Sequence, residues 1–586
     1  MGNPLLDLTT RPWATRRGLR RVQVPVPTEV PATDAVFLVL RRMRLPLVLL
    51  IGVFTISVFG LMIAPGRDPL GQPYRLSVFE AFYVISYTAT TIGFGEIPYS
   101  FTAAQRLWVT ISIYASVIGW AYSIGTLFSL VQDTSFRDAL ALQRFGRQVR
   151  RMREPFRIVA GYGNAGRVIC RVLDASAHRV VVIDSRQDRI DQLATDQLAA
   201  DAPGISADIS RPAMLGLAGL GHRDCAGVLA VTNDNNTNLN IVMAVHLLRP
   251  DLPVIARCTD RATAEHMMDF SPQAVINPYD RYGDYLVVAL RTPSSYRLLS
   301  WLLSEPGDPV PATQEHLRDG RWIICADDAF GKEVAADLES IGLQVDVVDP
   351  RAGDPDVTDV RGLVAGTSSD TFNLAVAAHA RRQNHDIFLS VRQESHVTAA
   401  LLAAFDFDSV FVPTELVAKE ALARVATPIY WSFIEHCLAQ DDAWAEALIQ
   451  RLLDRCGKGL PETMRVMVDR EHAPAVRRWL RDHELSLGDL LRSPDDRDRT
   501  LPVVVLALVR PAGTIFLPDE SQLLREGDTL LVGGKNTGLV DLGGALFYDA
   551  TLTYVATGQQ VPHTWVWRKL TGAVARRRTD RTESAS

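Results

Sequence analysis

Two apolar segments near the beginning of the chain, Leu45–Ala64 and Leu107–Val131, contain no charged residue. A bilayer core of about 30 Å is crossed by about 20 apolar residues in a helix, so both segments predict membrane-spanning helices. Later apolar runs, such as Ala226–Val231 and Val503–Leu508, have the length of buried strands and are followed by turn residues. The pattern therefore predicts a two-span membrane module followed by a large soluble region.

Arginines lie mainly on one side of the two segments. They precede the first segment, follow the second and are sparse between them: Arg41, Arg42 and Arg44; Arg137, Arg144, Arg147, Arg150 and Arg151; and, between, Arg67, Arg75 and Arg106. The positive-inside rule then predicts a plasma (inner) membrane protein with both termini cytoplasmic and residues 65–106 outside. The arginine-rich N-terminus has no apolar core behind it, so no cleavable signal is expected.

Composition narrows the function classes. The 586-residue chain has a mean hydropathy of +0.06, too low for a transporter that crosses the membrane along its whole length. Its net charge of −6 argues against a nucleic-acid binder, which usually presents a basic face. None of the six cysteines forms a C-x-x-C pair, which argues against a zinc site or a disulfide framework.

The segment between the two spans carries the most specific chemistry. Residues 77–89 predict a short re-entrant helix, which ends in Thr90-Thr91-Ile92-Gly93-Phe94-Gly95. Consecutive backbone carbonyls can face one side only if the chain visits positive φ, which Gly93 and Gly95 allow. Four copies around an axis, with the Thr91 hydroxyl, would then supply the oxygen cage that a dehydrated monovalent cation needs.

Thr-Thr-Ile-Gly-Phe-Gly-Glu resembles the potassium-channel signature T-T-V-G-Y-G-D, in the same helix–loop–helix frame. The resemblance implies that a homotetramer coordinates K⁺ through Thr91, Ile92, Gly93, Phe94 and Gly95. In that family the tyrosine at the Phe94 position is often braced by an aromatic residue of the pore helix, and Val84 occupies the expected partner position here. We therefore expect a filter less rigidly held from behind, which leaves a non-selective cation channel as an alternative. Glu96 keeps the acidic charge of the outer mouth.

Two glycines of the second span have two possible roles. Gly119 and Gly125 are candidate hinges of an inner gate, or small residues that allow close helix packing.

A nucleotide-binding pattern opens the soluble region. A predicted strand, Phe156–Ala160, leads into Gly161-Tyr-Gly163-Asn164-Ala165-Gly166, a helix and a second strand ending at Asp184. In the dinucleotide motif such glycines provide a tight turn, the approach of a phosphate and helix–strand packing, and the acid binds ribose. The motif favours NAD(H) or ATP/ADP over NADP(H); glycines kept only for packing remain the alternative. Asp208 and Thr232 follow further strands and are predicted at the same, ligand-binding edge.

The soluble region also contains an internal repeat. Asn238 and Asn373, Arg257 and Arg392, and Pro278 and Pro413 are each separated by 135 positions, as are Gly227 and Gly362. The second copy has Ala326 and Asp328 in place of the first two glycines and keeps only Gly331. The Asp328 carboxylate would repel a phosphate, so this copy is expected to keep the fold without the nucleotide. It is also shorter before Asn373, which predicts missing secondary structure there.

The two copies, residues 154–290 and 318–430, resemble RCK domains (regulators of potassium conductance, or TrkA-N), and residues 487–542 resemble a TrkA-C lobe. The resemblance implies a membrane α-helical two-span pore module, α/β Rossmann-like RCK domains in tandem and a small α+β lobe. It implies a ring of eight RCK units in the tetramer. The expected segments are 1–40 (arm), 41–135 (pore), 136–155 (linker), 156–315 and 318–445 (RCK), 446–550 (lobe) and 551–586 (partly disordered tail).

The sequence therefore predicts a potassium-selective channel subunit, not an enzyme, gated by a nucleotide-binding ring. A relative of the Castor/Pollux channels with tandem RCK units is an alternative. A membrane-anchored NAD-dependent oxidoreductase is a weaker one, because no His/Asp or Lys/Tyr constellation can be placed near a nicotinamide and the pore loop would be unexplained.

Overall fold

The computed structural model describes residues 26, 35–95, 98–312, 317, 319–349, 351, 353 and 355–560. The predictions for residues 1–25 and 27–34 of the N-terminal arm, for Glu96 and for residues 561–586 lie outside the described residues.

The membrane part consists of three helices and a short two-stranded hairpin. They are α1 (Ala35–Ile63), β1 (Gly66–Arg67), β2 (Pro73–Tyr74), α2 (Val78–Ala89) and α3 (Ala103–Gln132). Two helices are long and apolar enough to cross a membrane, over Met43–Ile63 and Ala103–Leu130. Only 22% and 11% of these two spans are buried, so most of their apolar side chains are exposed in the single chain, apart from a small core that includes Val58 and Leu61. The structure thus has the two apolar helices that the sequence predicts.

Helices α1 and α3 approach closely at one glycine. The indole of Trp108 lies against Gly60, where an added Cβ would be 2.0 Å from the ring, and its Nε1 donates to the Ser57 carbonyl at 2.9 Å. Gly119 and Gly125 do not form a close helix–helix contact of this kind within the chain. A Cβ at Gly119 would meet only Leu49, at 3.5 Å, and one at Gly125 would meet nothing within 4 Å.

A helical linker joins the second span to the soluble region. Helix α4 (Thr134–Arg150) follows α3 after one residue. Its Phe145 and Val149 are buried in the core of the first soluble unit, and Gly146 lies against Leu217. Helix α4 therefore connects the end of α3 directly to the core of the first unit.

The first soluble unit is built on a six-stranded parallel sheet in the order β5-β4-β3-β6-β7-β8. Its strands are β3 (Phe156–Ala160), β4 (Arg179–Asp184), β5 (Gly204–Ser206), β6 (Cys225–Ala230), β7 (Val254–Arg257) and β8 (Ala274–Ile276). Its helices are α5 (Asn164–Ala175), α6 (Gln187–Thr195), α7 (Pro212–Leu217), α8 (Asn235–Leu248) and α9 (Arg261–Met268). This is the doubly wound order of the Rossmann fold, which places ligands at the carboxyl ends of the strands.

The second unit repeats this architecture with one strand fewer, in the order β10-β9-β11-β12-β13. Its elements are β9 (Arg321–Cys325), α12 (Ala329–Ser340), β10 (Gln344–Val348), β11 (Gly362–Ala365), α13 (Asp370–Gln383), β12 (Phe388–Arg392), α14 (Ala399–Ala403) and β13 (Ser409–Phe411). Among the described residues, no strand and no α-helix lies between β10 and β11. The predicted shortening of the second copy is thus confirmed, because the counterparts of α6, β5 and α7 are missing.

The two units exchange helices. Helix α10 (Pro278–Arg291), which follows the first sheet, packs on α12 of the second unit. Helix α15 (Pro413–Ala426), which follows the second sheet, packs on α5 of the first. Tyr282 and Leu286 share one buried cluster with Val334, and Val417 shares another with Ile169. Each unit's first helix is therefore covered by the other unit.

The remaining elements form a C-terminal lobe and its connection. Helices α11 (Pro293–Leu302), α16 (Pro428–Leu438) and α17 (Asp442–Cys456) pack together beneath an antiparallel sheet in the order β14-β17-β15-β16. The lobe comprises β14 (Glu462–Met467), α18 (Pro474–Trp479), α19 (Leu487–Leu490), β15 (Val503–Arg510), β16 (Gly513–Phe516), β17 (Thr529–Gly534), α20 (Asn536–Phe547) and α21 (Asp549–Thr557). The expectation of a tail from residue 551 is wrong as far as 557, because Leu552 and Val555 of α21 are buried in the lobe's core.

An acidic cluster lies in the α10–α12 joint. Asp337 of α12 packs where Gly283 of α10 has no side chain, and it receives a hydrogen bond from Arg261 at 2.9 Å. Arg261 also pairs with Asp280 and lies 3.6 Å from Glu333. Burial raises the pKa of Asp337 to about 7.

Asp284, on the same face of α10, has its pKa raised to about 8 by burial and by the neighbouring Asp280. Its Oδ2 atom lies 3.9 Å from Arg281.

We predict that the full-length protein loses stability as the pH rises from about 4 to about 8. A carboxyl group whose pKa is higher in the folded than in the unfolded state stabilises the fold while protonated, and this contribution is lost as it ionises through its folded pKa. The side chain of the Asp337→Asn variant cannot ionise. Between pH 5 and pH 8 its free energy of unfolding should therefore fall by on the order of 1–2 kcal/mol less than that of wild type. Thermal midpoints in detergent at each pH measure the difference. Asp188→Asn, at an exposed ion pair with Arg186, should leave the slope unchanged. An unchanged slope in the Asp337 variant would contradict the assignment.

Candidate functional site

Three glycines shape the turn between β3 and α5, each for a different reason. Gly161 has a φ of +98°, and a Cβ there would lie 3.1 Å from the backbone of Thr232. At Gly166 a Cβ would lie 1.9 Å from the Gly161 carbonyl oxygen, so only glycine allows α5 to approach the turn this closely. Gly163 is different, since the nearest atom to its Cβ position is Nη1 of Arg189 at 3.5 Å. Gly163 therefore has open space beside it, and it is the glycine that the sequence predicts to lie against a phosphate.

The beginning of α5 has the properties of an anion site. Gly163 occupies the N-cap and offers no side-chain oxygen to the first turn. The first N–H groups of a helix have no intrahelical partner, and the helix dipole favours negative charge beside them. Asn164 is exposed and Ala165 is buried in this turn. A phosphate at this end would be bound by backbone N–H groups, as in other glycine-rich turns.

Asp184, at the end of β4, is more engaged than the sequence indicates. Its side chain is only 2% exposed, and its Oδ2 accepts hydrogen bonds from the Tyr162 N–H at 2.7 Å and from Arg189 Nη1 at 3.1 Å. Its Oδ1 accepts from the Arg186 N–H at 2.9 Å. The carboxylate therefore fastens the glycine turn to the next strand, and a ribose hydroxyl would share it with these donors. The sequence motif did not reveal Arg189, which reaches the turn from α6.

Of the other two predicted edge residues, one lies beside the turn. Thr232 follows β6, next to Gly161, and its Oγ1 donates to Asn238 Oδ1 at 2.8 Å. Asp208 follows the edge strand β5, two strands away from β3. It is exposed and accepts hydrogen bonds from Ser210, which lower its pKa. The structure thus brings Gly161, Asp184 and Thr232 together and leaves Asp208 at the rim.

The repeated asparagines hold the same position in both units. Asn238 Nδ2 donates to the carbonyls of Thr232 at 3.0 Å and Arg257 at 2.9 Å. Asn373 Nδ2 donates to those of Thr367 at 2.9 Å and Arg392 at 3.0 Å. Each amide therefore ties the ends of two neighbouring strands together. The spacing of the repeat identified these residues, but their role follows only from the tertiary structure.

In the second unit, a carboxylate occupies the place that is open in the first. Asp328 is the N-cap of α12, where Gly163 caps α5, and its Oδ1 accepts from the Phe330 N–H at 3.0 Å. Its Oδ2 pairs with Arg392 Nη1 at 2.7 Å. This geometry agrees with the expectation that the second copy has no room for a phosphate at its first turn.

The loop after α2 has an alternating backbone. Thr91, Gly93 and Gly95 have φ angles of 63°, 66° and 104°. The carbonyl of Tyr87 accepts hydrogen bonds from the N–H groups of Ile92 at 2.9 Å and Gly93 at 3.3 Å, which fold the loop against the end of the helix. Residues 91–95 are exposed in the single chain, so this face is open to other molecules.

The loop has aromatic neighbours on α2 at positions other than Val84. Phe94 stacks on Tyr83 with ring centroids 6.3 Å apart and meets Tyr87 edge-on at 5.6 Å. The Tyr87 hydroxyl also donates to the Gly95 carbonyl. Val84, the position predicted to matter, is buried within the membrane part. Tyr83 and Tyr87 are four residues apart and share one helix face, a spacing visible in the sequence.

Because Gly163 and Gly166 differ so sharply in the space around them, we predict different costs for the same substitution. Gly166→Ala should lower the free energy of unfolding by about 1–3 kcal/mol, since the new methyl group collides with a backbone carbonyl. Gly163→Ala should change it by no more than about 0.5 kcal/mol. Thermal or denaturant unfolding of the two variants, side by side, measures this; equal effects would contradict the assigned roles.

Comparison with known proteins identifies the first unit. The TrkA-N domain family matches residues 157–278, well under half of the chain. An uncharacterised protein of Methanothermus fervidus is 26% identical over 220 residues, which are 37% of this chain and 33% of that protein. Potassium channel protein 1 of Methanocaldococcus jannaschii is 25% identical over 252 residues, which are 42% of this chain and 70% of that protein.

Two solved structures align over most of the chain. The GsuK channel bound to NAD aligns over 86% of this chain and 98% of its own, at 15% identity and a TM-score of 0.39. GsuK bound to ADP aligns over 68% and 100%, at 16% identity and a TM-score of 0.35. Residues 157–278 are a TrkA-N domain, in a chain that is homologous to a potassium channel protein.

Proposed function

We propose that this chain is a subunit of a potassium-selective channel whose pore is gated by a cytoplasmic ring of RCK units that binds a nucleotide. One observation carries the proposal: a loop with alternating positive φ, Thr91–Gly95, follows a short helix between two apolar helices that are long enough to cross a membrane. Such a backbone can turn successive carbonyls to one side, and carbonyls in that arrangement replace the water of K⁺. Homology to a protein named as a potassium channel supports it.

Assembly as a homotetramer follows from the chemistry of the ion. A single loop surrounds nothing, so four copies must meet on an axis to enclose K⁺ with the backbone of residues 91–95. Four chains would bring eight RCK units into the cytoplasmic ring. The membrane lipid would cover the exposed apolar faces of α1 and α3, with both termini on the cytoplasmic side.

The nucleotide would act through α4. NAD(H) or ATP/ADP at the turn formed by residues 161–166 would bind differently to two arrangements of the ring and so shift the balance between them. Because α4 is packed into the first unit and follows α3 after one residue, that shift would move the inner end of the pore.

The selective channel is favoured over the two alternatives. The argument for a non-selective or Castor/Pollux-like pore rested on a poorly supported filter, whereas Tyr83 and Tyr87 pack against Phe94. An oxidoreductase would leave the alternating loop without a purpose.

Reconstituted protein should carry K⁺ across proteoliposome membranes, and Gly93→Ala should abolish this flux without changing assembly. The added methyl group is placed on a backbone with a φ of 66°, which an L side chain rarely adopts, so the carbonyl ring is disrupted. Gly71→Ala is the matched control, because Gly71 has a φ of 79° and open space but lies outside the loop. Sodium flux comparable to potassium flux would contradict selectivity, and no K⁺ flux under NAD⁺, NADH, ATP or ADP would contradict the channel.

The nucleotide has its own test. Gly163→Asp should weaken the binding of NAD⁺, NADH, ATP and ADP by at least about 30-fold in calorimetry, because a carboxylate would face the phosphate at the beginning of α5. The variant should fold, since Asp328 already occupies the equivalent position in the second unit. Gly342→Asp adds the same charge at a remote open position and should keep wild-type affinity. Unchanged affinity in the Gly163 variant would exclude this turn as the site.

A further inference from the structure

Arg257, at the end of β7, is a buried cation without an acidic partner. Its residue is only 8% exposed, and among the described residues no carboxylate lies within ion-pair distance of its guanidinium. Nη1 donates to Asn233 Oδ1 and to the Thr232 carbonyl at 3.4 Å, but Nε has no hydrogen-bond partner in the described part of the chain. A buried charge left in this state costs substantial free energy unless something else neutralises it.

The repeat shows what the same arginine meets in the second unit. Arg392, the counterpart of Arg257, pairs with Asp328 at 2.7 Å and donates from Nε to Glu394 at 2.6 Å. It also donates to the hydroxyl of Tyr279 at 2.8 Å. Tyr279 belongs to α10, which follows the first sheet in the chain but packs on the second unit. Here the charge is fully satisfied within the chain.

In the first unit each of these three partners is replaced. Gly163 stands where Asp328 does, at the N-cap of the first helix. Thr259 is the counterpart of Glu394, 135 positions earlier in the chain. Thr414 is the counterpart of Tyr279, 135 positions later. Thr414 belongs to α15, which follows the second sheet in the chain but packs on the first unit. Its buried Oγ1 has no hydrogen-bond partner among the described residues. The first unit therefore has the arginine but neither of the two carboxylates that pair with it in the second unit.

We infer that Arg257, together with the beginning of α5 and the hydroxyl of Thr414, binds a phosphate group of the nucleotide beside Gly163. The inference rests on the nucleotide site proposed above and adds residues outside its glycine motif. A phosphate here would do what the Asp328 carboxylate does in the second unit, accepting hydrogen bonds from a helix N-terminus and from an arginine. Because Thr414 comes from the second unit, the ligand would contact both units.

The surroundings of Arg257 agree with this role. Burial lowers its pKa, and the nearby charge of Arg392 acts in the same direction, opposed by Tyr279 and Glu394. Glu394 is already paired with Arg392, so it does not neutralise Arg257. An anion bound beside Arg257 would therefore neutralise an uncompensated positive charge between the two units.

The test is calorimetry on the full-length protein with ADP and NAD⁺, combined with thermal unfolding of the ligand-free protein. Arg257→Gln should lower both affinities by about 10- to 100-fold, because a charge-assisted contact to phosphate is lost. Thr414→Val should lower them a few-fold. The ligand-free Arg257 variant should unfold at the same temperature as wild type or higher, since an unpaired buried charge is removed.

Arg392→Gln is the matched control, because it leaves Asp328 and Glu394 without their partner. It should lower the ligand-free unfolding temperature. Wild-type affinity in Arg257→Gln would overturn the inference, as would a loss of stability equal to that of Arg392→Gln, which would make Arg257 structural.

Pyrophosphate separates this inference from the proposed function. If pyrophosphate raises the unfolding temperature of wild type but not of Arg257→Gln, while no nucleotide binds, the anion site stands and the nucleotide is rejected. If neither pyrophosphate nor a nucleotide has an effect on wild type, both are rejected.

Discussion

The soluble part of this protein depends on the exchange of helices α10 and α15 between its two units. Each helix leaves its own sheet and covers the first helix of the other unit, burying apolar clusters around Tyr282 and Val417. Apolar surface of this kind is costly to expose, so neither unit can move away from the other without losing part of its core. The exchange also brings Tyr279 to Arg392, at the carboxyl edge of the second sheet.

The two copies have kept this frame and diverged in charge. Both retain an asparagine that ties two strand ends together, with the same backbone acceptors. Both retain an arginine at the end of the following strand. Only the second copy supplies that arginine with carboxylates, and only the first opens its helix with a glycine. The two copies thus differ at this edge, which is open in the first and occupied by a carboxylate in the second.

Contacts within one chain hold both ends of the membrane part. The loop after α2 is folded onto Tyr87 by backbone hydrogen bonds and backed by two aromatic rings, so its conformation is fixed within one chain. At the other end, Phe145 and Val149 anchor α4 in the first unit's core. Packed side chains and one intervening residue, Asp133, therefore connect the core of the first unit to the end of α3.

The sequence by itself determined the two apolar helices, the glycine turn, the internal repeat and the missing elements of the second copy, because each is a local pattern of hydrophobicity, glycine or spacing. It did not show that Tyr83 and Tyr87 pack against Phe94, and it ended the lobe at residue 550, inside α21. It also did not show that Arg189 reaches the turn or that Arg257 lacks an acid. Those features arise where elements distant in the chain meet, and a partner or its absence is a property of space, which only the tertiary structure decides.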